Sequence, residues 1–170
     1  MPSANTIYYD DIDSPVGRLR LIADADGLRE MCFEVESHPT VLQPEWVRAS
    51  KPLQAAHRQL DEYFAGTRRA FDLRLNPHGT PFQLMVWMAL RQIPYGTTIS
   101  YGELARRVGK PAASRAVGAA NGRNPLSIIV PCHRVIGANG KLTGFGGGLP
   151  IKQFLLELER RVAQRELAAA

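Results

Sequence analysis

The most constraining stretch of this sequence is residues 128–134, which read Ile-Ile-Val-Pro-Cys-His-Arg. Three β-branched apolar residues in a row are typical of a short buried strand. Pro131 is expected to end that strand and to fix the backbone before the next residue. Cys132 would then lie at a strand end, on a rigid support. A neighbouring histidine or arginine can lower the pKa of a thiol and favour the nucleophilic thiolate. The stretch is therefore compatible with a reactive cysteine, although a lone Cys-His pair is more often structural.

The composition allows one ordinary domain or two small ones. The chain has 170 residues, of which 45% are hydrophobic and 22% are charged, as in most globular proteins. The net charge of +5 suits a polyanionic partner, but many basic proteins bind no nucleic acid. No apolar run approaches the roughly 20 residues of a membrane span. The first residues also lack the pattern of a signal peptide, so we expect a cytoplasmic protein with no membrane segment.

Cysteine and histidine are too sparse for a metal site. The two cysteines, Cys32 and Cys132, lie far apart, and the four histidines are scattered along the chain. A zinc site would need several such ligands in clusters. We therefore predict no metal, and we expect both thiols to stay free in a reducing compartment.

The first 79 residues are predicted to form a small antiparallel sheet with one helix. Strand-like patterns cover 6–12, 17–23, 28–35 and 70–75. Asp26-Gly27 is a hairpin turn signal between two of these strands. Residues 36–50 are expected to form a loop. From Leu53 the apolar residues recur at helical spacing as far as Phe64, and Gly66 can end that helix.

Residues 80–170 are predicted to form a second, mostly helical domain. Thr80, Pro81 and Gln83 have the pattern of a capping box at a helix start. This helix is expected to turn the following residues inward: Phe82, Met85, Val86, Ala89 and Leu90. Ser100 and Glu103 form a second capping box, which begins a helix that ends near residue 108. After a turn, another helix spans about 112–120, and this pair has the spacing of a helix-turn-helix.

The helix over 112–120 is built almost entirely of small residues, with Arg115 as its one long side chain. Two interpretations are equally open. The small residues can allow tight packing against a neighbouring element. Alternatively, they can allow close approach to the minor groove of DNA, with Arg115 reaching in.

A glycine-rich stretch and a final helix follow the cysteine. Phe145 lies within four glycines at 144–148, where it can stack on a flat base or simply anchor the core. The final helix begins at Pro150. At about 100° per residue, Glu159 falls inside its apolar arc. A buried carboxylate needs a partner, usually an arginine, and His133 is an available alternative. Cys132, His133 and Glu159 could then act as nucleophile, base and orienting group.

These motifs resemble one known family. Pro131-Cys132-His133-Arg134-Val135, with Asn124-Pro125 before it and the glycine-rich stretch after it, is similar to the active-site signature of the O6-alkylguanine-DNA alkyltransferases. The similarity is dense over 80–160 and loose over the first 80 residues. It implies an α/β (α+β) protein with an N-terminal domain at 1–79 and a DNA-binding alkyltransferase domain at 80–170.

The resemblance also implies direct DNA repair. Such a protein transfers the alkyl group of O6-alkylguanine, and of O4-alkylthymine, irreversibly and once to its own Cys132. It needs no cofactor. Its partner is double-stranded DNA, bound through the minor groove with the damaged base flipped out, and it is a monomer without DNA.

Further roles follow from the resemblance, residue by residue. Tyr101 matches the tyrosine that hydrogen-bonds the leaving guanine, and Arg115 matches the arginine that fills the space of the flipped nucleotide. Ser114 and Ala116 flank Arg115 on the DNA-facing helix. Asn124 matches the asparagine that ties this helix to the cysteine segment. The pocket walls correspond to Val135, Phe145 and Gly146, although many members have tyrosine in place of this phenylalanine and some have serine in place of this glycine.

Two other functions remain open from the residues alone. A cysteine hydrolase could use the same triad on an ester or a peptide, and it would turn over repeatedly. A DNA-binding regulator could use the cysteine as a sensor, but we expect such a protein to need a further promoter-reading domain. Counting the alkyl groups that each protein molecule accepts separates these functions from direct repair.

Overall fold

The computed structural model describes residues 3–36 and 39–170. Its strands are β1 (Tyr8–Ile12), β2 (Leu19–Asp24), β3 (Gly27–Phe33), β4 (Val47–Arg48), β5 (Ile99–Ser100) and β6 (Val135–Ile136). Its α-helices are α1 (Gln54–Phe64), α2 (Pro81–Leu90), α3 (Tyr101–Arg107), α4 (Ser114–Gly122) and α5 (Leu149–Ala169). Short 3₁₀ turns cover Lys51–Leu53 and Cys132–Arg134. The predicted α+β class is confirmed.

The N-terminal sheet has the strand order β3-β2-β1-β4. Strands β1, β2 and β3 are antiparallel, and the chain reverses between Asp24 and Gly27, as the hairpin signal predicted. β4 pairs in parallel with β1, within a segment that we expected to be only a loop. A two-residue edge strand is too short to show any periodicity, so the sequence pattern could not reveal it.

The outer edge of β3 joins the two halves of the chain. The Leu28 N–H donates to the carbonyl of Arg74, and the Met31 N–H donates to the carbonyl of Pro125, each at 2.8 Å. From the strand predicted at 70–75, only Leu75 forms a bridge. The β3 edge therefore holds both the linking segment and the segment that leads to the cysteine.

The helices of the second half begin where the capping residues predicted. Thr80 and Gln83 form both bonds of a capping box at α2, and the Ser100 hydroxyl accepts the Glu103 N–H at α3. Met85 does not point inward as expected, since it is 37% exposed. Trp87 takes an inward position instead, and its Nε1 donates to the Ala120 carbonyl of α4 at 2.8 Å. Helices α3 and α4, joined by 108–113, form the helix-turn-helix.

The predicted strand at 128–130 is wrong, although all three of its residues are buried. Ile128 has a left-handed φ of 72°, which a β-branched residue rarely adopts. Local bonds then close the turn, because the Val130 N–H donates to Leu126 and the Cys132 N–H donates to Val130. Cys132 consequently begins a 3₁₀ turn rather than ending a strand. An apolar run signals burial, but it does not distinguish a strand from a buried turn.

Buried residues of both halves form one continuous core. No helix in the described part of the chain is long and apolar enough to cross a membrane. Within 3–36 and 39–170, no group of three or more potential ligands could hold a metal ion. One of the four histidines, His38, lies outside the described residues.

Candidate active site

The carboxylate of Glu159 is the centre of a buried polar network. Glu159 is fully buried on α5, as its position in the apolar arc predicted. His133 Nε2 lies 2.7 Å from its Oε1, and Arg134 donates to both oxygens at 2.8 and 2.9 Å. The Tyr63 hydroxyl and the Gly96 N–H also donate to it, at 2.9 and 3.1 Å. The carboxylate thus has both of the expected partners, an arginine and His133.

This network determines which nitrogen of His133 carries the proton. Burial alone would raise the pKa of Glu159, but hydrogen bonds and charge from His133 and Arg134 lower it to about 2. The ionised carboxylate can only accept, so His133 Nε2 carries the hydrogen. Burial lowers the pKa of His133, which favours the neutral ring. Its Nδ1 is then an acceptor, and it is buried without a hydrogen-bond partner among the described residues.

The thiol of Cys132 is buried, with 5% of the residue exposed. Its Sγ lies 3.9 Å from the Ser127 hydroxyl. Burial raises the pKa of Cys132, and Asn124, Ser127 and Lys152 offset this only in part. The sequence suggested that the adjacent arginine could lower this pKa, but Arg134 turns to Glu159 and to the Ile93 carbonyl. The resting pair is therefore a neutral thiol and a neutral imidazole.

Lys152 is a fully buried cation near the thiol. Its Nζ donates to the carbonyls of Val135 and Thr143 at 2.6 and 2.8 Å. Among the described residues, no carboxylate forms an ion pair with it. Burial lowers the pKa of Lys152, and negative charge on Cys132 raises it. Because Arg134 already balances Glu159, Lys152 is the nearby charge that could balance a Cys132 thiolate.

Cys132 lines a cavity of about 240 Å³ between the two halves of the chain. The N-terminal half contributes Glu30, Met31, Cys32, Glu36 and Thr40, and the C-terminal half contributes residues that include Asn121, Asn124, Ser127, Phe145 and Gly146. The glycine-rich stretch packs tightly on β3, since a Cβ on Gly147 would lie 2.7 Å from the ring of Phe33. Phe145 contacts the same ring, with 5.5 Å between centroids. Phe145 therefore both anchors the core and lines the cavity.

Of three other predicted residues, only Asn124 lines this cavity. The Asn124 side chain donates to the Val130 carbonyl at 2.8 Å and accepts the Leu126 N–H at 3.0 Å, which ties the end of α4 to the cysteine segment. Val135 is fully buried and does not line the cavity. Tyr101 does not line it either, and its hydroxyl accepts a hydrogen bond from the Thr143 side chain at 3.1 Å.

The small-residue helix α4 packs tightly against its neighbours, as one of the two interpretations of its composition predicted, and its other face is exposed. Its inner face packs on α2 and α3 through Val117 and Ala120. Its outer face exposes Arg115 and Ala116, with Ser114 half-buried at the start of the helix. Arg115 forms no ion pair within the described part of the chain. The outer face of α4 is thus formed by small side chains, and the Arg115 guanidinium projects from it.

Two groups of residues at this site were not predicted from the sequence. Lys152 could have been found, because it lies three and seven residues before Leu155 and Glu159 and so shares their buried face. Tyr63 and the cavity residues from β3 and its loop had no such signal. Their place depends on how the two halves pack.

Comparison with known proteins places most of the chain in one group. Two family models, described as the DNA binding domain and the ribonuclease-like domain of 6-O-methylguanine DNA methyltransferase, match residues 81–161 and 7–77. The methylated-DNA–protein-cysteine methyltransferase of Methanosarcina acetivorans is 52% identical over 153 residues, which cover 90% of this chain and 98% of that protein. The Mycobacterium bovis protein of the same name is 49% identical and covers 95% of this chain and 97% of its own length. The crystal structure of Mycobacterium tuberculosis OGT in complex with DNA matches with a TM-score of 0.85 and 48% identity, over 91% of this chain and 94% of that one.

Proposed function

The chain belongs to the 6-O-methylguanine DNA methyltransferase family, and from this premise we propose that it moves the alkyl group of O6-alkylguanine in DNA onto Cys132. It is a methylated-DNA–protein-cysteine methyltransferase that acts in DNA repair and binds DNA. The proposal extends to O4-alkylthymine, which presents an alkyl carbon on an equivalent oxygen. The observation that carries it is Cys132 in a cavity beside a histidine whose tautomer is set by a buried carboxylate.

Cys132 is the nucleophile, and His133 is the base that removes its proton. That proton moves to the free lone pair of His133 Nδ1, directly or through a water. Glu159 positions the ring and stabilises the imidazolium that forms. Burial opposes early ionisation of both groups, so we expect the proton to leave as substrate fills the cavity.

Charge balance in the buried site favours this step. Glu159 and Arg134 cancel each other, and Lys152 adds one positive charge. Transfer of the Cys132 proton to His133 leaves the net charge of the site at +1, but it gives the new thiolate two cations nearby, Lys152 and the imidazolium of His133. A compensated thiolate is less costly to bury than an isolated one.

In the transfer, the Cys132 sulfur attacks the alkyl carbon, an S–C bond forms, and the C–O6 bond breaks. The bonding electrons leave with guanine, whose ring takes up one proton from the surrounding water, and the imidazolium of His133 returns one proton to the solvent, so that protons balance. Tyr101 assists this departure through its hydroxyl, once it exchanges the contact with Thr143 for one with the base. Phe145 and Gly146 form a wall of the pocket, Val135 is buried in the core directly after the cysteine turn, and no cofactor takes part.

DNA binds to the outer face of α4. The minor groove accepts its small residues, among them Ser114 and Ala116, and Arg115 fills the stack as the damaged nucleotide flips out. Through its two hydrogen bonds, Asn124 fixes the position of the cysteine segment relative to the end of α4. We further propose a cytoplasmic monomer with domains at 1–79 and 80–170 that share the continuous core.

The product, S-alkylcysteine, is a stable thioether, so the protein acts once. The test is to incubate the protein with an excess of DNA that carries labelled O6-methylguanine and to count the methyl groups bound per molecule. We expect a plateau at one methyl group, located on Cys132. Continuous release of product would instead support a hydrolase, and label on Cys32 would show that the nucleophile is misassigned.

A further inference from the structure

A second cavity lies behind the turn that carries Cys132. This rear cavity has a volume of about 360 Å³ and is lined by residues of the segments 69–75, 91–95 and 128–134. Its volume falls in the range of small-molecule sites, which often lie where two domains meet. Ile129 and Pro131 line the rear cavity, whereas Ser127 and Cys132 line the active-site cavity. The turn at 127–134 is thus a wall that the two cavities share.

Part of the rear cavity is apolar. Phe71, Leu73 and Leu75 line it, and each of these side chains is only half-buried. The segment that carries them joins β3 only through the bridge at Leu75, so it does not hide its apolar side chains in a sheet. A concave site with uncovered apolar surface favours a ligand that has an apolar body.

The charged groups of the rear cavity are all positive. Arg69, Arg91 and Arg134 line it, and among the described residues of its lining none carries a carboxylate. Arg69 pairs with Glu166, and Arg134 pairs with Glu159. Arg91 is exposed and forms no ion pair within the described part of the chain. Its guanidinium is therefore available to bind an anion, and its planar fork matches a carboxylate.

We propose that the rear cavity is a second ligand site, which binds a small organic anion with an apolar body, such as an aromatic carboxylate, and thereby stabilises the cysteine turn. The carboxylate pairs with Arg91, and the apolar body covers Phe71 and Leu73. The same ligand packs on Ile129 and Pro131, on the side of the turn that faces away from the thiol. The inference does not rest on the proposed function, because this binding needs neither DNA nor alkyl transfer.

The first test measures binding of 2-naphthoate to the whole protein by calorimetry, with 2-naphthalenemethanol as an uncharged probe of similar shape. Arg91→Ala removes the cation, and Leu73→Trp fills the cavity. The matched control is Arg165→Ala, since Arg165 is exposed, forms no ion pair in the described residues and does not line the cavity.

We expect 2-naphthoate to bind the parent and the control variant equally. Loss of the charge, either in Arg91→Ala or in the uncharged probe, should weaken binding by about 10-fold, the scale of one hydrogen bond between charged groups. Leu73→Trp should abolish binding. If that variant fails to fold, Arg91→Ala decides alone, because it changes an exposed side chain. No binding to the parent, or equal binding to the parent and Arg91→Ala, overturns the inference.

The second test measures amide hydrogen exchange in the cysteine turn. The N–H groups of Val130 and Cys132 make the local bonds that close this turn. A ligand that binds only the closed turn slows their exchange by about 10-fold when it is present at about ten times its dissociation constant. Arg91→Ala should show much less protection at the same concentration. Binding of 2-naphthoate that leaves both exchange rates unchanged overturns the proposed effect on the turn.

Discussion

Replacing Glu159 by glutamine tests the centre of the buried network most directly. The substitution keeps the shape of the side chain but removes its charge. The pKa of this carboxyl is lowered from an ordinary value of 4.5 to about 2, because hydrogen bonds and charge from His133 and Arg134 outweigh the effect of burial. A difference of this size corresponds to at most about 3 kcal/mol of folding free energy, because the share that comes from the charge of His133 is present only when the imidazole is protonated.

The sign of the pH dependence follows from the lowered pKa. The carboxylate contributes its full stability above about pH 4.5, and this contribution is lost as the pH falls towards about 2. The Glu159→Gln variant lacks this stabilising contribution at every pH. The substitution also leaves the buried Arg134 guanidinium without a counter-charge. The variant should therefore unfold up to about 3 kcal/mol more easily than the parent at neutral pH. The difference in the free energy of unfolding between parent and variant should become smaller as the pH falls from about 4.5 to about 2.

Urea denaturation of both proteins over this pH range measures their free energies of unfolding. A single-turnover assay measures the rate of methyl transfer to Cys132. We expect Glu159→Gln to react about 10-fold more slowly, because a neutral amide stabilises the imidazolium of His133 less than a carboxylate does. Tyr63→Phe is the matched control, since it removes one hydrogen bond to the same carboxylate but keeps its charge. It should cost about 2 kcal/mol, the scale of a hydrogen bond to a charged group, and leave the rate nearly unchanged. A difference in unfolding free energy that does not vary with pH, or a parental rate in Glu159→Gln, would refute the reasoning.

Three further predictions concern the thiol, its counter-charge and the DNA contact. Cys132→Ala should abolish methyl transfer and retain DNA binding in a gel-shift assay, whereas Cys32→Ala should still accept one methyl group; transfer by Cys132→Ala would contradict the assignment. Lys152→Met should slow transfer at neutral pH and move the rate profile to higher pH, because it removes the charge that lowers the pKa of Cys132. Lys152→Arg should restore the profile in part, and an identical profile in Lys152→Met would exclude the electrostatic role. Arg115→Ala should slow repair of duplex DNA on the order of 100-fold, since extrusion costs a few kcal/mol, but it should hardly affect reaction with free O6-alkylguanine. Equal slowing of both substrates would place Arg115 in the pocket or the fold instead.

Local patterns in the sequence were enough to locate several parts of this site. The capping residues at Thr80 and Ser100 predicted the starts of α2 and α3, because a cap involves only residues a few positions apart. Helical periodicity placed Glu159 on a buried face, and the cost of burying a carboxylate required a partner for it. Since Cys132 and His133 are adjacent in sequence, their place beside each other needed no tertiary information.

The tertiary structure decided how these groups are used. Tyr63 reaches Glu159 across 96 positions of sequence, and no local pattern could have predicted that bond. Likewise, the apolar run at 128–130 showed burial alone, and a buried turn with a left-handed Ile128 replaced the expected strand. Packing also turned Arg134 towards Glu159 and away from the thiol. Sequence patterns report the burial of a residue along its own element, whereas hydrogen-bond partners and cavity walls depend on distant segments that meet only when the two halves pack together.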